Sequence, residues 1–187
     1  MLKKQGIFRY NMFHVKQMPE IWDLYDKDGN PLNKTIERGQ PLAKGEYIIA
    51  VDVWKMNDKG QILLTQRHPS KELFPLKWEC TCGAKISGED SLTGALREVK
   101  EETGIELDPK DGKKIHRIVR PDSNIIFDIY LFRTNTDIKN TKLQENEVIA
   151  IKWVSKDELR ELFRKGEMID PLDYVLKMMD DGIFEAP

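Results

Sequence analysis

The sequence has few of the features that mark secreted, membrane-spanning or nucleic-acid-binding proteins. Only two cysteines occur among its 187 residues, and the spacing of Cys80 and Cys82 suits an ordinary disulfide poorly. No apolar run approaches the roughly 20 residues that span a bilayer. The formal net charge is −2, so no overall positive field attracts nucleic acid. These absences predict a globular cytoplasmic protein that has neither a membrane nor a nucleic acid as its partner.

The N-terminal segment contains two early lysines but lacks the apolar centre of a signal peptide. We therefore interpret residues 1–18 as an N-terminal arm and residues 19–187 as one domain. A chain of this length can bury one sizeable hydrophobic core.

The chain reads as strands, one internal helix, and then more strands and helices. Residues 46–56 predict a strand, and the turn at 57–60 predicts a hairpin with residues 61–66. A helix is predicted over 91–103, between Asp90 as N-cap and Gly104 as the terminating glycine. Further strands are predicted at 78–82, 116–119, 124–134 and 147–154, with a capping box at 155–158 and a last helix over 171–182. This order predicts an α+β fold, an α/β/α sandwich with a mixed central β-sheet flanked by helices.

Three carboxylates lie on one face of the predicted helix. Glu98, Glu101 and Glu102 are at i, i+3 and i+4, so their like charges destabilise the helix by about a few tenths of a kcal/mol per pair. A hard cation such as Mg²⁺ or Mn²⁺ would offset that repulsion. On the carboxylates alone, however, a solvated acidic helix face is the favoured interpretation.

The wider spacing changes this interpretation. The residues that carry it are Gly83, then five residues, Glu89, seven residues, Arg97-Glu98-Val99, one residue, Glu101-Glu102, one residue, and Gly104-Ile105. This pattern resembles the Nudix box at each defining position, and it implies a Nudix fold. Segments flanking the box, over roughly residues 20–165, resemble the branch of the superfamily that contains isopentenyl diphosphate isomerase and isomerase-like hydrolases.

The resemblance implies a metal-dependent hydrolase with Mg²⁺ or Mn²⁺ as its cofactor. Its substrate would be a small molecule, a nucleoside diphosphate derivative or a related pyrophosphate. By position, the metal ligands would be Glu98, Glu101, Glu102 and the carbonyl of Gly83, with Glu147 as a further candidate. Arg97 is expected to hold the box in place through Glu89, and Glu101 or Glu102 is expected to partner the attacking water. Homodimers are common in this superfamily.

An isomerase is the first alternative. Cys82, Glu145 and Glu147 resemble catalytic and acidic residues of isopentenyl diphosphate isomerase. However, the metal-binding histidines of that enzyme are replaced here by Ala84 and, on the first long strand, by Ile48 or a neighbour. An intact box without those histidines favours hydrolysis, and Cys82 is then a small buried residue.

A non-catalytic, nucleotide-binding regulatory domain is the second alternative. The complete set of carboxylates argues against it, because a binding protein does not need three acids that repel one another. Residues outside the box that could contact substrate are Trp54, Phe74, Trp78 and Tyr130 by stacking, Arg67 and Lys71 through phosphate, and His68. For most of these a place in the core or on the solvated surface is the expected one.

Overall fold

The computed structural model describes residues 19–184, so the predicted arm at residues 1–18 lies outside the described residues. The boundary of the domain stays a prediction. The elements are β1 (Ile21–Tyr25), β2 (Pro31–Glu37), β3 (Ile48–Met56), β4 (Ile62–Arg67), β5 (Trp78–Glu79), β6 (Thr81–Ala84), α1 (Ser91–Thr103), β7 (Gly112–Arg120), β8 (Ile125–Arg133), β9 (Val148–Val154), α2 (Lys156–Arg164) and α3 (Tyr174–Asp180). Among the described helices, none is both long and apolar enough to cross a lipid bilayer.

A seven-stranded mixed sheet forms the centre of the molecule. β3 runs parallel to β8, in register from Ile48 opposite Ile125 to Met56 opposite Arg133. Every other pairing in this sheet is antiparallel. The predicted mixed sheet flanked by helices is therefore confirmed.

The helices cover both faces of this sheet. Val51 and Val53 of β3 pack against Ala95 and Val99 of α1. The alternate residues of β3 point the other way, and Trp54 packs in one cluster with buried residues of α2 and α3. The result is an α/β/α sandwich in which β3 is buried along its whole length.

Local sequence signals explain where the helices begin and end. The side chain of Asp90 accepts a hydrogen bond from the backbone N–H of Thr93, and Gly104 ends α1 in the left-handed conformation at φ 70°. Ser155 and Glu158 form the predicted capping box of α2. The last predicted helix was too long: a 3-10 turn covers Asp170–Leu172, and α3 begins only after it.

The predicted hairpin of β3 and β4 is present only at its turn, where Met56 pairs with Ile62. Beyond that pair β3 takes β6 as its antiparallel partner, and β4 takes β9. The two strands separate because each finds a longer ladder of hydrogen bonds with another strand. This separation brings β6, which carries the first residue of the box, onto the central strand.

A separate two-stranded hairpin, β1 and β2, lies against the loop that precedes α1. The carboxylate of Asp23 accepts hydrogen bonds from Lys85 Nζ at 3.0 Å, Ser87 Oγ at 2.7 Å and the backbone N–H of Gly88 at 3.0 Å. Ser87 N also donates to the carbonyl of Ile21 at 2.7 Å. The hairpin therefore holds the loop that leads into the box helix.

Candidate active site

Arg97 is the centre of the hydrogen-bond network on α1. Its Nε and Nη2 donate to the two carboxylate oxygens of Glu89 at 2.8 and 3.1 Å. Its Nη1 donates to Glu98 Oε1 at 2.8 Å and to Glu101 Oε2 at 3.1 Å. Nη2 also donates to the carbonyl of Ala84 at 3.0 Å. One guanidinium thus fixes three acids and the end of β6, the geometry for which arginine is suited.

Gly83 is a glycine because the carboxylate of Glu98 occupies the space of a side chain. A Cβ at this position would lie 2.0 Å from Glu98 Cδ and 2.2 Å from its Oε1. Glu98 is thereby pressed against the backbone of β6, and burial raises its pKa although the charge of Arg97 opposes the shift. The box brings Gly83 and Glu98 into direct contact across fifteen residues of sequence.

Glu102 lies deeper than the other box acids, at 8% exposure. Its Oε2 is buried and has no hydrogen-bond partner. Burial raises its pKa well above the usual range, and the charge of Glu79 adds to the shift while that of Lys55 opposes it. A buried carboxylate oxygen without a donor is costly unless a cation reaches it.

Lys55 provides the positive charge below the helix. It is fully buried, and its Nζ donates to Thr81 Oγ1 at 2.7 Å. Burial lowers its pKa to about 8, against the attraction of Cys80, Glu102 and Glu79. The ammonium group lies on the same sheet face as Gly83, because both belong to the set of β3 and β6 residues that faces α1.

The box carboxylates differ in accessibility. The side chain of Glu101 is 50% exposed, in contrast to those of Glu98 and Glu102. Glu147, the additional candidate ligand, forms an ion pair with Lys71 instead of meeting these acids. Within residues 19–184 no three His, Cys, Asp or Glu side chains converge tightly enough to hold a metal ion.

A groove of about 440 Å³ is lined by the acidic residues Glu72 and Glu147 and by three cations. They are Arg38 at the end of the hairpin, and Arg67 and Lys71 at the end of β4 and in the loop after it. We call it the cationic groove. Arg38 Nη1 donates to Glu20 Oε2 at 2.7 Å. Burial is the main cause of the raised pKa of Glu98, and the negative charge of Glu20 adds to that shift.

A second ion pair, through Glu79, links the cationic groove electrostatically to the box acids. Arg67 pairs with buried Glu79 at 3.0 Å. Burial raises the pKa of Glu79 to about 7, and Arg67 limits the shift. Glu79 in turn acts electrostatically on Glu102. The groove and the box acids therefore belong to one connected electrostatic network.

The opposite face of β3 carries a different polar cluster. Asp52 pairs with Cys82 across β3 and β6, so the two side chains share the face covered by α3. Asp52 Oδ2 accepts a hydrogen bond from the hydroxyl of Tyr174 at 2.6 Å, and its Oδ1 is buried without a partner. Burial, and then the charge of Asp52, raise the pKa of the Cys82 thiol well above its usual range. This thiol is not an activated nucleophile.

Most of the aromatic candidates are structural. Trp54 is fully buried and donates from Nε1 to Tyr174, Tyr130 is buried with its hydroxyl at 2.8 Å from Ser91, and Trp78 packs under Lys152. Phe74 is the exposed member, at 40%. His68 is half-buried, and its Nδ1 lies 2.7 Å from Ser70 Oγ.

Four charged residues of the site were not predicted: Glu20, Arg38, Lys55 and Glu79. Lys55 carried a usable signal, because a lysine inside the apolar run of β3 has to be buried. The other three gave none, since their partners lie far away in the sequence.

Known proteins resemble this chain in sequence. Residues 46–172 match the family model described as NUDIX domain. An uncharacterized Nudix hydrolase of Listeria innocua is 35% identical over 152 residues, which is 80% of this chain and 88% of that protein. An isopentenyl-diphosphate Delta-isomerase of Shigella boydii is 28% identical over 112 residues, 56% of this chain and 60% of the isomerase.

The fold itself has a solved counterpart. A crystal structure of a protein from Deinococcus radiodurans superposes with a TM-score of 0.71 at 22% identity, covering 84% of this chain and 98% of that one. At this sequence identity the structural similarity shows the fold alone. Together with the family match and the Listeria relative, it shows that the chain belongs to the Nudix hydrolase family, whose members act on pyrophosphate bonds.

Proposed function

We propose that this chain hydrolyses the diphosphate linkage of a small organic or nucleoside diphosphate in a reaction that requires Mg²⁺ or Mn²⁺. The observation that carries the proposal is the electrostatic link between the box acids and the cationic groove. Acids that suit a hard cation are linked to cations that suit phosphate through the charges of Glu20 and Glu79. A diphosphate with its metal needs both sets of groups.

The residues fit a divalent cation by their chemistry. Carboxylate oxygens are the ligands that Mg²⁺ and Mn²⁺ prefer, and the unpartnered buried Oε2 of Glu102 lacks a positive neighbour within hydrogen-bond distance. Glu98, Glu101 and Glu102 would hold the cation, with the carbonyl of Gly83. When bound, such a cation neutralises phosphate charge and acidifies water. Glu147 stays a prediction, because its carboxylate is engaged by Lys71.

Phosphate binding, orientation of the acids and proton acceptance belong to different side chains. Arg38, Arg67 and Lys71 bind the diphosphate oxygens. Arg97 orients Glu98 and Glu101 and, through Glu89, fixes the loop before α1. Glu101 accepts the proton of the attacking water, since its side chain is half exposed whereas Glu102 is buried. The water oxygen bonds to phosphorus, the bridging P–O bond breaks, and the departing phosphate takes the electron pair.

Isomerisation is the competing activity, and several relatives carry that name. Two features of the site disfavour it. By resemblance, Ala84 and Ile48 or a neighbour stand where the isomerase has metal-binding histidines, and the pKa of the half-buried Cys82 thiol is raised well above its usual range. The thiol also lies on the face of the sheet that α3 covers, away from the box acids.

A phosphate-release assay over a panel of diphosphates tests the proposal. The panel contains ADP, a nucleotide sugar and isopentenyl diphosphate, each with Mg²⁺, with Mn²⁺ and with EDTA. We expect phosphate or monophosphate products from at least one compound, and no product with EDTA. Conversion of isopentenyl diphosphate to its isomer without hydrolysis of any compound would refute the proposal.

We further propose that the protein works in the cytoplasm, where its free Cys80 and Cys82 stay reduced. A homodimer remains a prediction that sedimentation would test.

A further inference from the structure

The loop between β4 and β5, residues 68–77, exposes three large apolar side chains. Leu73 is 66% exposed, Leu76 52% and Phe74 40%. We call these three residues the apolar crest. The other large exposed hydrophobics of the described chain, Ile21, Val119 and Ile149, lie on separate strands. Single exposed apolar residues are ordinary, but a contiguous group marks a surface that binds something.

The backbone of the crest is strained. Phe74 has φ 53° and Leu76 has φ 63°, on either side of Pro75. Bulky side chains rarely adopt this left-handed region, and strain of this kind concentrates at sites that clamp a ligand. Phe74 and Leu76 adopt this conformation although an asparagine adopts it more readily.

The crest is nevertheless held firmly in place. Gln66 Nε2 donates to the carbonyl of Leu76 at 2.9 Å, and Arg67 Nε donates to the carbonyl of Leu73 at 3.1 Å. Both donors belong to β4, so a rigid strand presents the exposed side chains. The loop is therefore a preorganised surface whose apolar side chains face solvent.

The crest borders the cationic groove. Leu73 lines that groove together with Arg67 and Lys71. Arg67 connects the two surfaces, because one guanidinium pairs with Glu79 and bonds the backbone of Leu73. A ligand whose anionic end meets these cations places the atoms next to that end against Leu73.

We propose that the apolar crest is the specificity element of the site, and that it binds a substrate whose organic group is apolar where it joins the diphosphate. This inference rests on the diphosphate hydrolysis proposed above. A second copy of the chain is a poorer occupant of the crest, because a symmetric contact would also bring together two grooves that each have three cations against two acidic residues.

Monoalkyl diphosphates of increasing chain length test the inference. We compare kcat/KM for methyl, butyl and octyl diphosphate with Mg²⁺ in the wild type, in the double variant Leu73→Ser, Phe74→Asn, and in the control Val119→Ser. In the wild type, kcat/KM should rise by up to about fourfold for each methylene that the crest buries. The double variant should lower the ratio of octyl to methyl kcat/KM at least about tenfold, while Val119→Ser keeps it. Asparagine tolerates the left-handed region, so the double variant should fold, and thermal unfolding checks this.

The outcomes separate this inference from the proposed function. A double variant with the wild-type ratio overturns the inference, and so does a wild type with no dependence on chain length. Sedimentation gives another opposing outcome: a dimeric wild type and a monomeric double variant with an unchanged ratio would make the crest a self-association surface. Hydrolysis of ADP but of no alkyl diphosphate refutes the inference alone. Failure to hydrolyse every diphosphate, ADP included, refutes the proposed function.

Discussion

The two faces of β3 and β6 bury charge in different ways. On the face toward α1, Lys55 lies below the box, and the acids above it reach from the buried Glu102 to the half-exposed Glu101. On the face toward α3, Asp52 is enclosed by Tyr174 and the apolar cluster. Adjacent residues of one strand thus enter two environments, since strand side chains alternate.

This difference separates chemistry from structure. The α1 face has a half-exposed acid, Glu101, and a buried carboxylate oxygen without a hydrogen-bond partner, Oε2 of Glu102. The α3 face holds a carboxylate and a thiol, Asp52 and Cys82, whose ionised forms burial disfavours. The cysteine that resembles an isomerase residue belongs to this second face. Hydrolysis at the first face is therefore the activity that the arrangement supports.

The replacement Glu101→Gln tests the comparison most strongly. It removes the proposed proton acceptor while keeping the side-chain volume, so kcat should fall by about two to four orders of magnitude. Cys82→Ala on the opposite face is the matched control, and its kcat should remain within a few-fold of the wild type. If instead Cys82→Ala lost activity and Glu101→Gln kept it, the roles of the two faces would be reversed. Steady-state phosphate release and thermal unfolding of both variants give the answer.

The replacement Gly83→Ala probes the contact between β6 and Glu98. The new Cβ would lie 2.0 Å from Glu98 Cδ, so the carboxylate must move. Because a carboxylate is the flexible end of its side chain, we expect the fold to survive. Activity should fall about a hundredfold, the effect of misplacing a catalytic group by about 1 Å. Mn²⁺ titration should show weaker binding, whereas equal affinity and turnover would mean that Glu98 does not hold the cation.

Glu79 interacts electrostatically with Asp52 on one face of the sheet and with Glu102 on the other. The pH dependence of stability tests its protonation. Its folded-state pKa of about 7 lies above the ordinary glutamate pKa of 4.5. The folded protein therefore keeps a proton between these pH values that the unfolded chain releases. The contribution of Glu79 to stability is greatest below about pH 4.5 and decreases as pH rises to about 7, by roughly 2 to 3 kcal/mol.

Urea unfolding at pH 5 and pH 7.5 measures this effect. The replacement Glu79→Gln should remove that decrease between the two pH values, whereas Glu37→Gln on the exposed edge of the hairpin should keep it. Comparing slopes with pH avoids the separate cost of leaving Arg67 without its partner. An identical slope in the wild type and Glu79→Gln would show that Glu79 is ionised throughout this range.

Tyr174→Phe should have the smallest effect and should act on the α3 face alone. It removes the hydroxyl that donates to Asp52, so a buried carboxylate loses its donor at a cost of about 1 to 3 kcal/mol. The double variant Asp52→Asn, Tyr174→Phe tests the coupling, because removing the charge should recover part of that loss. Denaturant unfolding measures the loss, and kcat should stay near the wild-type value. A large drop in kcat at wild-type stability would connect this cluster to the chemistry after all.

Local signals in the sequence were sufficient for much of the fold. The caps at Asp90 and Gly104 place α1, the β-branched and aromatic residues of β3 predict a strand, and the capping box places α2. The spacing from Gly83 to Ile105 identifies the family. Gly83 makes room for the carboxylate of Glu98, and Arg97 binds Glu89, Glu98 and Glu101.

Long-range contacts decided the rest. Pairing of β6 with β3 and of β9 with β4 replaced the simple hairpin. The cationic groove joins Arg38 to Arg67 and Lys71 across about thirty residues, and the ion pairs Arg38–Glu20 and Arg67–Glu79 span 18 and 12 residues. By itself the sequence determined the family, the box helix and the acids that the reaction needs. Only the tertiary structure decided which acids are buried, which face holds Cys82 and where the cations meet, because burial and charge proximity depend on residues that the chain brings together from far apart.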